Sequence, residues 1–215
     1  MAMATFSAMN ETVARYEFRV FAPRMGITEH LLRTLAPCES ITEDSEIYLL
    51  DCTQAGDLNV KIRHDRIDVK RLVQRDRGLE QWKPDGQLDF PLPVDTFYRL
   101  WGSQSVDAAR ALSSDAFSLE ELLRVAVQPA SHLQRAKVFK RRFRFSLAHC
   151  SAEHDYLLVN GASLESIAIE SEHPDAIIEI RSALRLEGFE NQAYPLMLCR
   201  LLGRLPMPGE DARGY

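Results

Sequence analysis

Apolar and polar positions alternate through NVKIRHDRIDVKRLV (59–73). His64-Asp65 suits a two-residue turn. Pairing outward from it sets Arg63 opposite Arg66, Ile62 opposite Ile67, Lys61 opposite Asp68 and Val60 opposite Val69. Side chains alternate across a strand. One face of this hairpin therefore carries Val60, Ile62, Ile67 and Val69. The other carries Lys61, Arg63, Arg66, Asp68 and, one step on, Lys70. A one-residue slip would mix the faces, so the pattern selects this register. VFKRRFRFSL (138–147) repeats the arrangement, with Phe139, Phe143 and Phe145 beside Arg141 on one face and Lys140, Arg142 and Arg144 on the other.

The remaining segments frame these strands. ARYEFRVFA (14–22) reads as a strand ended by Pro23. GITEHLLRTLA (26–36) has helical spacing at 27, 31, 32 and 35, with Thr28 as N-cap. SEIYLLDC (45–52) reads as a strand. Residues 78–93 read as strand, turn at Pro84-Asp85-Gly86, and loop. Residues 94–130 read as helical, including VDAARALS (106–113) and a segment opened by the capping box Ser118-x-x-Glu121. Strands follow at 135–149, 154–160 and 163–171, the last two about an Asn160-Gly161 turn. Pro174 opens a helix that closes near Gly188, and YPLMLCRLLG ends at Gly203. Hairpin-sized connections make this an α+β chain with a largely antiparallel sheet. One domain is expected over 14–203, between tails at 1–13 and 204–215, the latter without fixed structure.

Composition narrows the chemistry. The net charge of −5 disfavours nucleic-acid binding driven by overall charge. No apolar run is long enough to span a membrane, and the N-terminus carries no signal-peptide pattern. Cys38, Cys52, Cys150 and Cys199 lie far apart without metal-ligand spacing, so reduced thiols in a cytoplasm are expected, with Cys150 and Cys199 in the core. The six histidines are scattered and read as surface or turn residues, and Trp82 and Trp101 as packing residues. Neither a P-loop nor a Rossmann glycine pattern occurs.

Cationic strand faces in an acidic chain have two explanations. On an open sheet they are simply solvated. In a closed barrel they need anions, because buried like charges repel and lose hydration. Glu17 and Arg19 alternate on the first strand, and Glu170 and Glu172 late in the chain. Carboxylates so spaced sit about 7 Å apart on one face and suit a hard divalent cation.

In this order the residues resemble the CYTH-type triphosphate tunnel metalloenzymes, a superfamily that includes class IV adenylate cyclases, thiamine triphosphatases and inorganic triphosphatases. The resemblance covers residues 14–203. It rests on Glu17-x-Arg19 at the ExExK position, Lys61-x-Arg63, Lys70, Lys140-x-Arg142-x-x-Phe145, Glu170-x-Glu172 and the closing LRLEGFENQAYPLMLCRLLG. It implies an antiparallel eight-stranded β-tunnel with flanking helices. Arg19, Lys61, Arg63, Lys70, Lys140, Arg142 and Arg144 would bind phosphates. Glu17, Glu170 and Glu172 would be catalytic and hold Mg²⁺ or Mn²⁺.

Arg15 stands where the motif's first Glu would be, and Glu153 is a candidate fourth metal ligand in compensation. The implied activity is metal-dependent hydrolysis of an inorganic or organic triphosphate by a monomer or homodimer. The alternatives are a non-catalytic tunnel that binds polyphosphate or a phosphorylated ligand, and an α+β interaction module whose charged faces are solvated.

Overall fold

A computed structural model describes residues 13–102, 115–127 and 132–208. Eight strands close into an antiparallel barrel in the order β1 (Arg15–Ala22), β10 (Ala162–Ser171), β9 (Cys150–Val159), β8 (Leu133–Leu147), β2 (Ser40–Asp51), β3 (Leu58–Arg63), β4 (Arg66–Asp76) and β5 (Leu79–Asp89), which returns to β1. A short pair, β6 (Leu92–Pro93) and β7 (Ala116–Phe117), lies outside it. Five helices flank the barrel among the described residues: α1 (Ile27–Leu35), α2 (Val94–Trp101), α3 (Leu119–Val125), α4 (Pro174–Ala183) and α5 (Tyr194–Leu201). The expected fold class is present.

The 59–70 hairpin has the register its pattern dictates, Arg63 against Arg66 through Val60 against Val69. His64 and Asp65 both take positive φ (50° and 56°), the backbone of a tight primed turn. Asn160-Gly161 turns the same way, and the Ser118–Glu121 capping box is formed. Three expectations change. Pro84-Asp85-Gly86 is no turn, because β5 runs through it and a register shift opposite Val69 and Lys70 absorbs the extra residue beside the proline. Thr28 does not cap α1; Gly26 precedes that helix and Thr28 is buried. Residues 94–130 are also not wholly helical, since β7 lies between α2 and α3; the 106–113 expectation falls outside the described residues.

Three apolar clusters place the elements. Outer-face residues of β1 and β8–β10 (Phe18, Phe143, Phe145, Ile167) pack under α1 and α4. The apolar face of the hairpin packs under α2 and α3 against Phe97, Phe117 and Leu122. Phe139 remains 38% exposed, so only two of the three phenylalanines of β8 do core work. The third cluster joins Tyr48, Leu50, Val138, Leu157, Val159 and Leu164 to Tyr194, Met197 and Leu198 of α5. By strand alternation these β residues share the face of Lys140 and Arg142, so α5 stoppers one end of the bore with apolar packing. A Cys52–Cys199 disulfide ties the end of β2 to this helix, correcting the expectation of reduced thiols. The two cysteines are 147 residues apart in sequence and meet only through the closure. Leu205 and Met207 pack on the same cluster, so the start of the 204–215 tail is ordered by burial.

Candidate functional site

The open end of the bore is charged. A cavity of about 670 Å³ is lined by Arg19, Lys61, Arg63, Arg66, Lys70, Lys140, Arg142 and Arg144, together with Glu17, Asp68, Glu153 and Glu170. All seven cations that the resemblance assigned to phosphates line it, and so does Arg66 of the hairpin's cationic face. Eight cations outnumber the four lining carboxylates, and still do when the buried Glu46 and Asp155 behind them are added. Lys61, Lys70, Arg142 and Arg144 line one space, which favours the closed-barrel explanation over the solvated sheet, although the Arg144 side chain is half exposed. A smaller cavity of about 350 Å³ adjoins it, sharing Glu17, Lys70, Trp82, Pro84 and Glu170, and adds Arg15 and Glu172.

The deepest cations are already paired. Glu46, itself buried, accepts from Lys61 Nζ and Lys140 Nζ at 2.6 Å each and from the Tyr48 hydroxyl at 2.9 Å. Burial opposes the charge of Glu46, but the two ammonium groups win and hold it far below the usual carboxylate range. Lys140 also donates to Tyr48 (2.8 Å) and lies 3.9 Å from the centre of the Tyr194 ring. Its burial outweighs Glu46 and pulls its pKa down to about 7.

Arg19 is a hub rather than a free phosphate ligand. Its Nε donates to Glu17 at 2.6 Å and its Nη1 to Asp155 (3.2 Å) and Ser166 Oγ (2.9 Å), while Nη2 is 3.6 Å from Glu153. Arg142 is shared by Glu153 (3.2 Å) and Asp155 (3.3 Å), and Arg144 reaches Glu153 at 3.5 Å. Asp155, wholly buried, also accepts from the Tyr194 hydroxyl at 3.0 Å.

The acidic wall spans β5, β1 and β10, where Glu80 pairs in register with Glu17 and Glu17 with Glu170. Burial and the neighbouring Glu17 raise the Glu170 pKa. Glu17 is also buried, yet Arg19 beside it and Lys70 keep it low. Glu80 is raised by burial while accepting from Trp82 Nε1 (3.3 Å) and Arg75 Nε (3.2 Å). Glu172 does not share the bore with Glu170. It follows the end of β10, is exposed, and lines the outer cavity with Arg15.

Glu17, Glu153 and Glu170 offer only oxygen donors, the kind Mg²⁺ or Mn²⁺ take, but their ligand atoms do not all come within 4.8 Å of one another, and Glu17 and Glu153 are paired with arginines. Among the described residues, the trio whose ligand atoms all lie within 4.8 Å of one another is instead Glu29, His154 and Glu165, outside the bore. His154, expected at the surface, is completely buried.

Sequence reasoning missed Glu46, Tyr48, Asp155, Glu80 and Tyr194. Alternation along SEIYLLDC and HDYLLVN places Glu46, Tyr48 and Asp155 inward once the strands flanking them are known. Tyr194 enters from a helix and leaves no such signal.

No family model matches the chain, and no curated protein matches it. Among solved structures it is similar to "Putative adenylyl cyclase HpAC1 from Hippeastrum", described as having a dominant triphosphatase activity, at 13% identity over 91% of this chain and 99% of that one (TM-score 0.49). A protein of the same provisional name from Bacillus halodurans is 12% identical over 83% and 93% (TM-score 0.47). A conserved hypothetical protein from Pyrococcus furiosus is 16% identical over 86% and 98% (TM-score 0.45). Likenesses this low transfer no activity. The strand order and the lining of the bore define the class on their own: a closed antiparallel tunnel with a cation-rich chamber.

Proposed function

We propose that the chain is a triphosphate-tunnel protein that binds a triphosphate-bearing small molecule or short polyphosphate and, with Mg²⁺ or Mn²⁺, hydrolyses a terminal phosphoanhydride. One observation carries this reading: eight cations close on one chamber, outnumbering its four lining carboxylates and the buried Glu46 and Asp155 together, and the remaining positive charge faces a space where a triphosphate could accept charge-assisted hydrogen bonds. Glu17, Glu170 and Glu153 would hold the metal, which when bound supplies charge neutralisation and activation of water. Phosphoryl transfer asks the protein mainly for positioning and electrostatics. Arg63, Arg66, Arg142 and Arg144 offer guanidinium forks to phosphoryl oxygens. Glu46 and Asp155 orient the deeper cations beneath them. Lys140, deepest in the chamber, would add a further donor to a phosphate oxygen. The reading includes a cytoplasmic setting, where a reducing thiol pool would act on Cys52–Cys199.

Arg15 supports a second reading, a non-catalytic binder of the same ligands, because it puts a cation where the motif has its first Glu. Incubation with tripolyphosphate, thiamine triphosphate and nucleoside triphosphates, each with Mg²⁺ or Mn²⁺, tests both. Phosphate release that is lost in Glu170→Gln is expected. A ligand-dependent rise in melting temperature without release establishes the binder. Neither release nor shift rejects both readings.

A further inference from the structure

We infer that Glu153 is the chamber's resident anion: given a tunnel that takes a phosphate-bearing ligand as proposed above, its carboxylate holds the place of one phosphoryl group, and the ligand must displace it. Glu153 touches three arginines. Its Oε2 lies 3.2 Å from Arg142 Nε and 3.6 Å from Arg19 Nη2, and its Oε1 lies 3.5 Å from Arg144 Nε. Strand register brings them together. Arg144 on β8 is paired with Glu153 on β9, Glu153 with Ala168 on β10, and Ala168 with Arg19 on β1. Directly opposed residues share a face of the sheet, so this row presents a cation, a carboxylate, a methyl group and a cation to the bore. The small Ala168 leaves Arg19 room to reach across it.

The grip on Glu153 is loose. A charge-assisted N–H···O bond closes to about 2.7–2.9 Å. Glu17 meets Arg19 at 2.6 Å, and Glu46 meets each of its lysines at 2.6 Å. None of the three Glu153 contacts closes below 3.2 Å. Its two oxygens are spread over three guanidinium groups. A phosphoryl group brings three acceptor oxygens and suits the guanidinium fork, so it would fill the same space with shorter contacts. The Glu153 side chain is 16% exposed and lines the open chamber. Asp155 behind it is wholly buried and is fixed by Arg19, Arg142 and Tyr194. Glu153 has room to turn aside; Asp155 does not.

A carboxylate tethered to the wall competes as an intramolecular ligand. A single small anion such as sulfate or orthophosphate has only these arginines to hold it and is kept out. A triphosphate is gripped by Lys61, Arg63 and Arg66 as well and overcomes the competition. Glu153 thus sets a threshold that favours polyanions. While it holds these arginines it does not act, with Glu17 and Glu170, as a metal ligand.

The test uses the full chain in EDTA, without divalent metal, by calorimetry and thermal melting. Glu153→Gln keeps the size of the side chain and removes its charge. It is expected to tighten tripolyphosphate by about tenfold or more. Sulfate at millimolar concentration should raise the melting temperature of this variant and not of the native chain. Asp68→Asn removes the same charge from the chamber wall beside Arg63, away from these three arginines, and should gain clearly less. Equal gains in the two variants would overturn the assignment, since net charge alone would then account for them. So would unchanged or weaker binding in Glu153→Gln, the result expected of a carboxylate that only holds arginines in place. If tripolyphosphate binds neither protein while sulfate stabilises only Glu153→Gln, the resident anion stands and the triphosphate reading falls. If neither anion distinguishes Glu153→Gln from the native chain, Glu153 is not a competitor.

Discussion

Lys140 shows how one side chain can be read from two directions. Alternation along β8 sends it inward, and the closed barrel then strips it of water and sets it against Glu46, Tyr48 and Tyr194. The ordinary lysine pKa is 10.5, and here it falls to about 7. Between those values the unfolded chain binds more protons than the folded one, so Lys140 makes stability rise as pH climbs through that window. Ligand binding runs the opposite way. A phosphate favours the ammonium form, so above pH 7 tripolyphosphate must bring a proton with it. Its affinity should fall with pH by up to about tenfold per unit. Lys140→Arg keeps the charge and should flatten the slope to that of the ligand's own titration, as calorimetry at pH 6 to 9 would show. An identical slope in both proteins removes Lys140 from the account. Its partner Glu46 predicts a larger effect on folding. Glu46→Gln removes the counter-charge of Lys61 and Lys140; Lys140 can shed its proton in response, so the variant should cost about 1–3 kcal/mol, measured by urea unfolding at pH 7. The native carboxylate is held well below its ordinary 4.5, so its contribution is present above that value and is lost as pH drops below it.

At the scale of elements, α5 does two jobs with one face. Met197 and Leu198 fill the stoppered end of the barrel, while Tyr194 at its N-terminus reaches Asp155, Arg19 and Lys140. Cys199 on the same helix is bonded to Cys52 at the end of β2. Cys52→Ser should therefore lower stability by about 2–4 kcal/mol and weaken tripolyphosphate binding, because the stopper that places Tyr194 loses its tether. A reductant should reproduce the loss in the native chain and leave the variant unchanged. A melting temperature insensitive to reductant would refute the tether.

This helix also marks where sequence reading stops. The hairpin and β8 were legible because one face of each is apolar and the other ionic, so a register error has an obvious cost. The cations of the bore followed from the same rule. Glu46 and Asp155 obey it too, but β2 also carries Glu43, Asp44 and Asp51 and β9 also carries Glu153, and the inward direction of Glu46 and Asp155 has meaning only once Lys140 and Arg142 stand across from them. The Cys52–Cys199 pair, Tyr194 in the bore and the burial of His154 by α1 depend on helix placement against the barrel, which no local period encodes.

At the scale of the molecule, the chamber is a balance of charge that one residue can tip. Arg15 lines the outer cavity with Glu17 and Glu172, on the edge of the acidic wall. It is two residues from Glu17 on the same strand face, about 7 Å along β1. Arg15→Glu therefore places a carboxylate beside the proposed metal ligands and changes the charge at that mouth by two units. If the tunnel is a metal-dependent triphosphatase working with an incomplete acidic set, the variant should bind Mn²⁺ more tightly and raise the rate of tripolyphosphate hydrolysis at limiting metal. Without metal, the same substitution should weaken tripolyphosphate, since the cationic excess that attracts it shrinks. The two effects have opposite signs and separate the readings. A variant that gains Mn²⁺ affinity but still releases no phosphate marks the protein as a binder whose chemistry is lost beyond this position. A variant with unchanged Mn²⁺ affinity shows that the acidic wall does not hold the ion, and the metal-dependent reading falls with it.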